Sequence, residues 1–350
     1  MTNNPLEQCV SDIETLFALN LPIVDVRAPI EFEKGHIPGA MNIPLLTNED
    51  RHQVGLCYRQ FGHHKAVELG LELVGPRLGL LAKLGREHST NNQLIVYCQR
   101  GGKRSQSMSW LWSQLGIQVY RLAGGYKRFR HWTGQTISDP RRVLLLAGGT
   151  GVGKTEVLLA LAEAGEAIVN LEGLAHHKGS AFGAIGEVPQ PTQSHFENRL
   201  AVALSKVKSG DVIWLEAESR RIGCCQIPDT LWQQMSTAPR IYLERDVTER
   251  IERLCLDYQE ASSAELERAL QGIQKRLGSE THLRALKCLH ANDRQGVVEQ
   301  VLSYYDRWYE KHKVAYQDQI LESVDTSQMP LSDLIGYLKT LKDEKYGLIE

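Results

Sequence analysis

The chain has 350 residues, and at roughly 100–200 residues per domain it should divide into two or three domains, each able to bury its own core. Apolar residues make up 42% and charged residues 23%, and 40 Lys plus Arg against 42 Asp plus Glu leave a net charge of −2. That balance excludes a uniformly basic nucleic-acid coat but not a local basic face, and no apolar run reaches the ~18 residues of a membrane helix.

The seven cysteines are odd in number and scattered, with no C-x-x-C pair, which argues against a disulfide framework and against paired zinc ligands. The start, MTNNPLEQCVSDIE, lacks a signal pattern. A soluble, reduced, cytoplasmic protein with no membrane partner is expected.

In chain order, residues 22–26 (PIVDV) predict a short buried strand, followed by a loop with His36, Pro38 and Gly39 and a strand-like piece at 40–43. Residues 55–75 have helical spacing. The apolar strand 92–97 (NQLIVY) runs into Cys98-Gln-Arg-Gly-Gly-Lys-Arg-Ser105, and 105–115 is again helical in pattern. The polar stretch 133–140 (TGQTISDP) reads as a domain linker. Beyond it the logic repeats, with strand 141–147, a Gly-rich loop, helix 154–164, strand 167–171, helix 196–208, and strands 212–215 and 240–243. From about residue 248 the pattern is nearly all helical, as in 296–313. Strands alternating with helices imply an α/β architecture with mainly parallel sheets.

The first Gly-rich loop has the chemistry of an anion cradle around a nucleophile. Gly101 and Gly102 let successive backbone N–H groups converge, the following helix adds its positive end, and Arg100, Lys103 and Arg104 add charge. Cys98 in that field is expected to be a thiolate near neutral pH. With this loop, Asp25-Val26-Arg27, Glu31-Phe32, the run Gly35-His36-Ile37-Pro38-Gly39-Ala40 and the turn Leu122-Ala123-Gly124-Gly125-Tyr126 resemble the rhodanese family. In that family the cysteine carries a persulfide. Asp25 and Arg27 then read as a buried charge pair that shapes the loop, and His36 as a structural loop residue. Five residues separate Cys98 from Arg104, one more than in ordinary sulfurtransferase loops and the number found in rhodanese-fold phosphatases. The cradle should therefore take a chalcogen attached to phosphate rather than a bare sulfur atom.

The second loop, Gly148-Gly-Thr-Gly-Val-Gly-Lys-Thr155, fits G-x-x-x-x-G-K-[ST] between a strand and a helix. Gly148, Gly151 and Gly153 free the backbone to wrap a diphosphate, Lys154 neutralises it, and the Thr155 hydroxyl can hold Mg²⁺. Glu216 ends an apolar strand in the place of a metal-supporting acid, followed by Glu218, Arg220 and Arg221. These four either support metal and phosphate or form a solvated ion-pair network. The segment 176–183, with Lys178, reads as an anion- or RNA-facing loop or as a flexible solvent loop.

The domain order, the C-x5-R loop, the segment around residues 173–183 and the run Glu216-Ala-Glu-Ser-Arg-Arg-Ile-Gly223 together resemble the tRNA 2-selenouridine synthase family. The resemblance implies a rhodanese-like parallel-sheet domain (1–135), then a P-loop NTPase-like α/β domain (136–250) with a helical C-terminal extension packed on it (251–350). It implies a substrate tRNA carrying wobble 2-thiouridine, S-geranylation with geranyl diphosphate, and replacement of the geranylthio group by selenium from selenophosphate. Cys98 would accept selenium as a perselenide, residues 148–155 would hold diphosphate, and a selenophosphate-supplying enzyme is a candidate partner.

A basic surface for RNA is expected at residues 100–142, where nine basic residues face only Asp139, a local net of +8. Lys127, Arg128, Arg130, Arg141, Arg142 and, further on, Lys178 are the phosphate-contact candidates. Phe129, His131 and Trp132 either stack on an unpaired base or belong to the core. Competing readings are a phosphatase using Cys98 and Arg104, a nucleotide-dependent sulfurtransferase or kinase, and a non-catalytic RNA adaptor.

Overall fold

The structure, a computed structural model, describes residues 5–346; the expectation for the extreme start falls partly on residues 1–4, outside that range. The chain forms two compact units, one running up to residue 136 together with 197–202, the other containing the remainder.

The first unit is built on a five-stranded sheet of β1 (Glu7–Val10), β2 (Ile23–Asp25), β3 (Met41–Asn42), β4 (Gln93–Tyr97) and β5 (Gln118–Leu122), in the order β1-β5-β4-β2-β3. Every pairing is parallel. Such a sheet is covered on both faces, so its central strand can be apolar throughout, and Leu94 to Tyr97 are all buried. Val24, Val96, Met108 and Trp112 pack in one core cluster, and Ile13, Ile95, Tyr97 and Phe129 in another.

Two sequence expectations change here. The helix expected at 55–75 begins earlier, at Asn48, because Thr47 and Asp50 form a reciprocal cap, and it breaks at Gly62, whose φ is +84°. The linker expected at 133–140 is largely helical: it forms the last turns of the helix Gly125–Ser138. Tyr126, Phe129, Thr133, Thr136 and Ile137 recur at three- and four-residue spacing and are buried. Threonines on the inner face hid that stripe from a hydropathy reading.

The second unit holds β6 (Arg142–Gly148), β7 (Ile168–Val169), β8 (Val212–Glu216), β11 (Arg240–Glu244) and β12 (Ile320–Asp325), ordered β12-β11-β6-β8-β7 and parallel throughout. A small antiparallel ribbon, β9 (Arg221–Ile222) with β10 (Cys225–Gln226), follows β8. The strand expected at 167–171 stops at Val169, because Asn170 caps a new helix through Gly173 N–H.

The tail is not wholly helical. β12 joins the sheet beside β11, and the helix Leu331–Lys345 places Leu334, Ile335, Leu338 and Leu341 in the same core as Leu144, Leu158 and Trp214. β12 is an edge strand with one buried residue, Val324, so its sequence carries no strong alternation. Between β11 and β12, helices Val247–Asp257, Ser263–Leu277, Ser279–His290 and Arg294–Ala315 carry a second core around Leu266, Leu270, Leu289 and Val297. Among the described residues no helix is long and apolar enough to cross a membrane.

Candidate active sites

Cys98 sits where β4 ends, and four residues separate it from the start of the helix Lys103–Ser113. The intervening loop is fixed by the Gly-Gly-Tyr turn: Tyr126 N–H donates to Cys98 O at 2.9 Å and Lys127 N–H to Gln99 O at 3.0 Å. A Cβ at Gly125 would lie 2.1 Å from Cys98 O and 2.6 Å from Gly101 N, so only glycine allows this approach. Arg121 donates to Gly101 O at 2.9 Å. Below the loop, Arg27 and Asp25 form the expected buried pair at 2.6 Å, and Arg27 also reaches Gln99 Oε1. His36 stacks on Phe32 at 3.7 Å and bonds its carbonyl, a structural arrangement.

The thiol itself is buried, with Cys98 only 3% exposed. Its Sγ lies 3.2 Å from Ser105 Oγ, and Ser105 Oγ is 3.1 Å from Gly102 O. A thiol can donate to the Ser105 hydroxyl while that hydroxyl donates to Gly102 O; a thiolate would draw the serine proton to itself. Ser105 was not singled out by sequence because it reads as an ordinary first-turn helix residue.

Of the expected cradle cations, Arg100 and Lys103 are exposed, and Gly101 has φ +66°. Arg104 differs: it is half-buried and bidentate to Glu31, at 2.6 and 3.3 Å. Burial pushes the Glu31 carboxyl up, but Arg104 outweighs it and holds Glu31 below its ordinary range. As the loop stands, Arg104 is therefore neutralised rather than open to an anion.

In the second unit the loop of residues 148–155 leaves the central strand β6 and enters the helix Lys154–Glu163. Gly148, Gly151 and Gly153 all take positive φ. Lys154 Nζ donates to Gly148 O at 3.0 Å and lies 5.5 Å from the centre of the Tyr309 ring. Burial would depress the ammonium, but Tyr309, Glu218, Glu172 and Glu216 around it hold it above its ordinary value.

Thr155 Oγ1 is 2.6 Å from Glu216 Oε1 and 3.0 Å from Glu172 Oε2. One hydroxyl proton serves one carboxylate, and a protonated Glu172 donating to Thr155 completes the arrangement. Burial, then the charges of Glu216 and Glu218, push Glu172 up to about 9; burial, then Glu218, push Glu216 up to about 7. Glu216 is fully buried and its Oε2 has no hydrogen-bond partner among the described residues.

Lys154, Thr155 and Glu172 line a cavity of about 370 Å³ with Lys178, Ser180, Glu218 and Arg253, while Glu216 lies buried behind Thr155. Lys178 faces Glu187 at 3.8 Å and the Tyr258 ring at 5.6 Å. The segment 176–183 is anchored by Phe182 in the helical core and by Tyr305, whose hydroxyl accepts from Ala181 N–H. Arg220 pairs with Asp229, and Arg221 is exposed on β9; neither lines this cavity.

Glu172, Arg250, Arg253 and Tyr309 were invisible as site residues in sequence. Arg250 clamps the loop through Thr150 O at 2.9 Å from a helix 100 positions downstream.

The RNA-contact candidates differ in state. Lys127 and Arg128 are exposed and share a surface depression with His131 and Trp132. Arg130 is paired with Glu197. Arg142 donates to Tyr346 O at 2.7 Å and stacks on its ring, and Arg141 is half-buried. Phe129 is fully buried against Tyr126 and Trp132, which places it in the core and removes it as a base-stacking residue.

Comparison with known proteins follows the same division. The profile of a rhodanese-like domain matches residues 10–131, and that of a tRNA 2-selenouridine synthase AAA domain matches 141–335. A tRNA 2-selenouridine synthase of Cupriavidus pinatubonensis is 39% identical over 80% of this chain and 82% of its own. Its namesakes in Pseudomonas fluorescens and Marinobacter nauticus are 38% and 37% identical, covering 86% and 89% of this chain and 90% and 93% of theirs.

Proposed function

The chain belongs to the tRNA 2-selenouridine synthase family, and from that premise we propose that it replaces the sulfur of wobble 2-thiouridine in tRNA by selenium, in two chemical steps. The P-loop serves the first. The thiouridine sulfur attacks C1 of geranyl diphosphate, the C1–O bond breaks, diphosphate departs, and the N3 proton of the base passes to Glu218. Loop N–H groups and Lys154 stabilise the departing charge, with no nucleotide hydrolysis required. S-alkylation turns a poor leaving group into one that departs as a thiol.

The Cys98 loop serves the second. A perselenide on Cys98 would require a two-electron oxidation that selenophosphate does not supply. Attack of the Cys98 thiolate on phosphorus balances instead: the Se–P bond breaks, hydroselenide is released, and the sulfur holds a phosphoryl group that water removes as phosphate. Hydroselenide attacks C2 of the base and geranylthiol leaves. Arg100 and Lys103 meet the incoming anion, and Arg104 joins them when it exchanges Glu31 for the phosphoryl oxygens.

The residues around Thr155 fit Mg²⁺. Two carboxylates, Glu172 and Glu216, the second with an orphaned buried oxygen, flank a hydroxyl of the type that holds this ion beside a diphosphate. When bound, the ion neutralises diphosphate charge. tRNA phosphates would be met by Lys127 and Arg128.

The observation that supports the reading most directly is the pair of loops, a cysteine cradle and a full P-loop, in a chain of this family. Mass spectrometry of the wobble nucleoside after incubation of thiolated tRNA with geranyl diphosphate and selenophosphate tests it. S-geranyl-2-thiouridine followed by 2-selenouridine is expected; unchanged 2-thiouridine would refute it.

A further inference from the structure

A second cavity, of about 240 Å³, lies beside the P-loop in the same unit; Gly148 at the start of the loop lines it, and it shares Glu218 and Tyr309 with the P-loop cavity. We propose that this cavity holds the isoprenoid chain of the prenyl diphosphate whose diphosphate lies in the P-loop. The inference rests on the P-loop reading above and adds the chain's location and the residues that set its length.

The walls argue for a hydrocarbon. Trp232 and Met235 come from the helix Asp229–Thr237, Tyr242 from β11, and Trp308 and Tyr316 from the end of the long helix and the turn after it. A base-reading pocket would offer many free donors and acceptors, but most polar side chains here are already engaged, Arg240 Nε and the Glu218 carboxylate at the P-loop end excepted. Arg240 donates to Gln319 Oε1 at 2.9 Å and stacks on Tyr316 at 3.8 Å. Lys313 pairs with Glu244, and Arg220 with Asp229. Ser236 donates to Gln233 O, and Ser219 to Arg221 O. Apart from Arg240 Nε and Glu218, what remains for a ligand is aromatic and aliphatic surface, suited to a flexible unsaturated chain.

The junction also suits the reacting carbon. Tyr309 and Glu218 line both cavities, so an allylic C1 between diphosphate and chain would lie beside an aromatic ring and a carboxylate. Both favour the positive charge that C1 gains as diphosphate leaves.

The test is chain-length selectivity with a diphosphate control. Ser236 lines the chain cavity and not the P-loop cavity, so Ser236→Phe shortens the first without touching the second. For the wild type and this variant, kcat/KM is measured for dimethylallyl, geranyl and farnesyl diphosphates on a 2-thiouridine RNA, and binding of inorganic diphosphate by calorimetry. The variant should bind inorganic diphosphate as the wild type does, yet lose at least about tenfold in geranyl over dimethylallyl preference. Trp232→Ala should shift preference the other way, toward farnesyl. Intact diphosphate binding with an unchanged chain preference in both variants overturns the cavity assignment alone. Failure of inorganic diphosphate to bind the wild type overturns the P-loop reading and the assignment with it. Tryptophan emission gives an independent readout: geranyl diphosphate should shift it, inorganic diphosphate should not, and Trp232→Phe with Trp308→Phe should abolish the shift. Equal shifts from both ligands would contradict the proposal.

Discussion

Replacing Glu216 by glutamine should leave the free protein's stability unchanged near pH 4.5 and raise it on the order of 3 kcal/mol at pH 8 to 9. The carboxyl is fully buried at the end of β8, and burial with the Glu218 charge pushes it up to about 7 from an ordinary 4.5. A group whose folded pKa is raised stabilises fully below its unfolded pKa and loses that contribution as pH rises toward the folded one. Between about 4.5 and 7 the unfolded chain has released the proton and the folded chain still holds it, so stability falls at about 1.36 kcal/mol per pH unit. Glutamine has no proton to lose and keeps the carbonyl oxygen that Thr155 bonds, so the variant is spared that loss. Urea unfolding of both proteins at half-unit pH intervals, without ligand, measures the difference curve. A flat difference from pH 5 to 9, or a wild type that gains on the variant as pH rises, would refute the claim that the acid group beside the P-loop is held protonated by burial and mutual repulsion.

Lys154→Ala should lower the geranylation rate by roughly 10²-fold or more, whereas Cys98→Ala should spare geranylation and stop selenium entry; nucleoside mass spectrometry separates the two, and equal loss of both steps in a folded Cys98→Ala protein would defeat the assignment. Iodoacetamide should alkylate Cys98 more slowly than the exposed Cys9 and Cys224, and Glu31→Gln, by freeing Arg104, should strengthen binding of inorganic phosphate at the loop. Peptide mapping of the label and calorimetry with phosphate check these, and labelling of Cys98 ahead of Cys9 would contradict the buried thiol. Lys127→Glu with Arg128→Glu should weaken tRNA binding by roughly tenfold and flatten its salt dependence; an unchanged salt slope would exclude this face.

The two loops were legible in sequence because their function requires glycine at fixed offsets after an apolar strand, and such backbone needs leave residue identities behind. The Asp25–Arg27 pair was legible for a related reason, since two charges inside a strand end must find each other. The rest of each site was not. Glu31 lies 73 positions from Arg104, and Arg250 lies 100 from Thr150, and no local pattern reports such pairings. Trp308 and Tyr309 sit in a run whose sequence reads only as helical, and the fold is what turns them toward Lys154 and the neighbouring cavity. β12 was hidden because an edge strand with one buried side chain needs no alternation.

The acid group and the lysine also bear on what the P-loop can accept. Lys154 uses two of its three donors on the Gly148 and Gly149 carbonyls, and the carboxylates crowd around it. With Glu172 pushed up to about 9 and Glu216 to about 7, at least one proton stays among these acids at neutral pH. That proton holds the ligand-free cluster near electrical balance. A diphosphate adds negative charge, which cannot simply join three carboxylates in a buried site. Its binding must therefore draw in positive charge, either as a divalent cation at Thr155 or by turning Arg253 and Lys178 from Glu156 and Glu187 toward the ligand. Diphosphate affinity should accordingly rise with added Mg²⁺ in the wild type, and Glu216→Gln should bind diphosphate more tightly than the wild type when no divalent ion is present. Calorimetry with and without the ion decides this, and a wild type indifferent to Mg²⁺ together with a weaker-binding variant would mean that the acids do not oppose the anion.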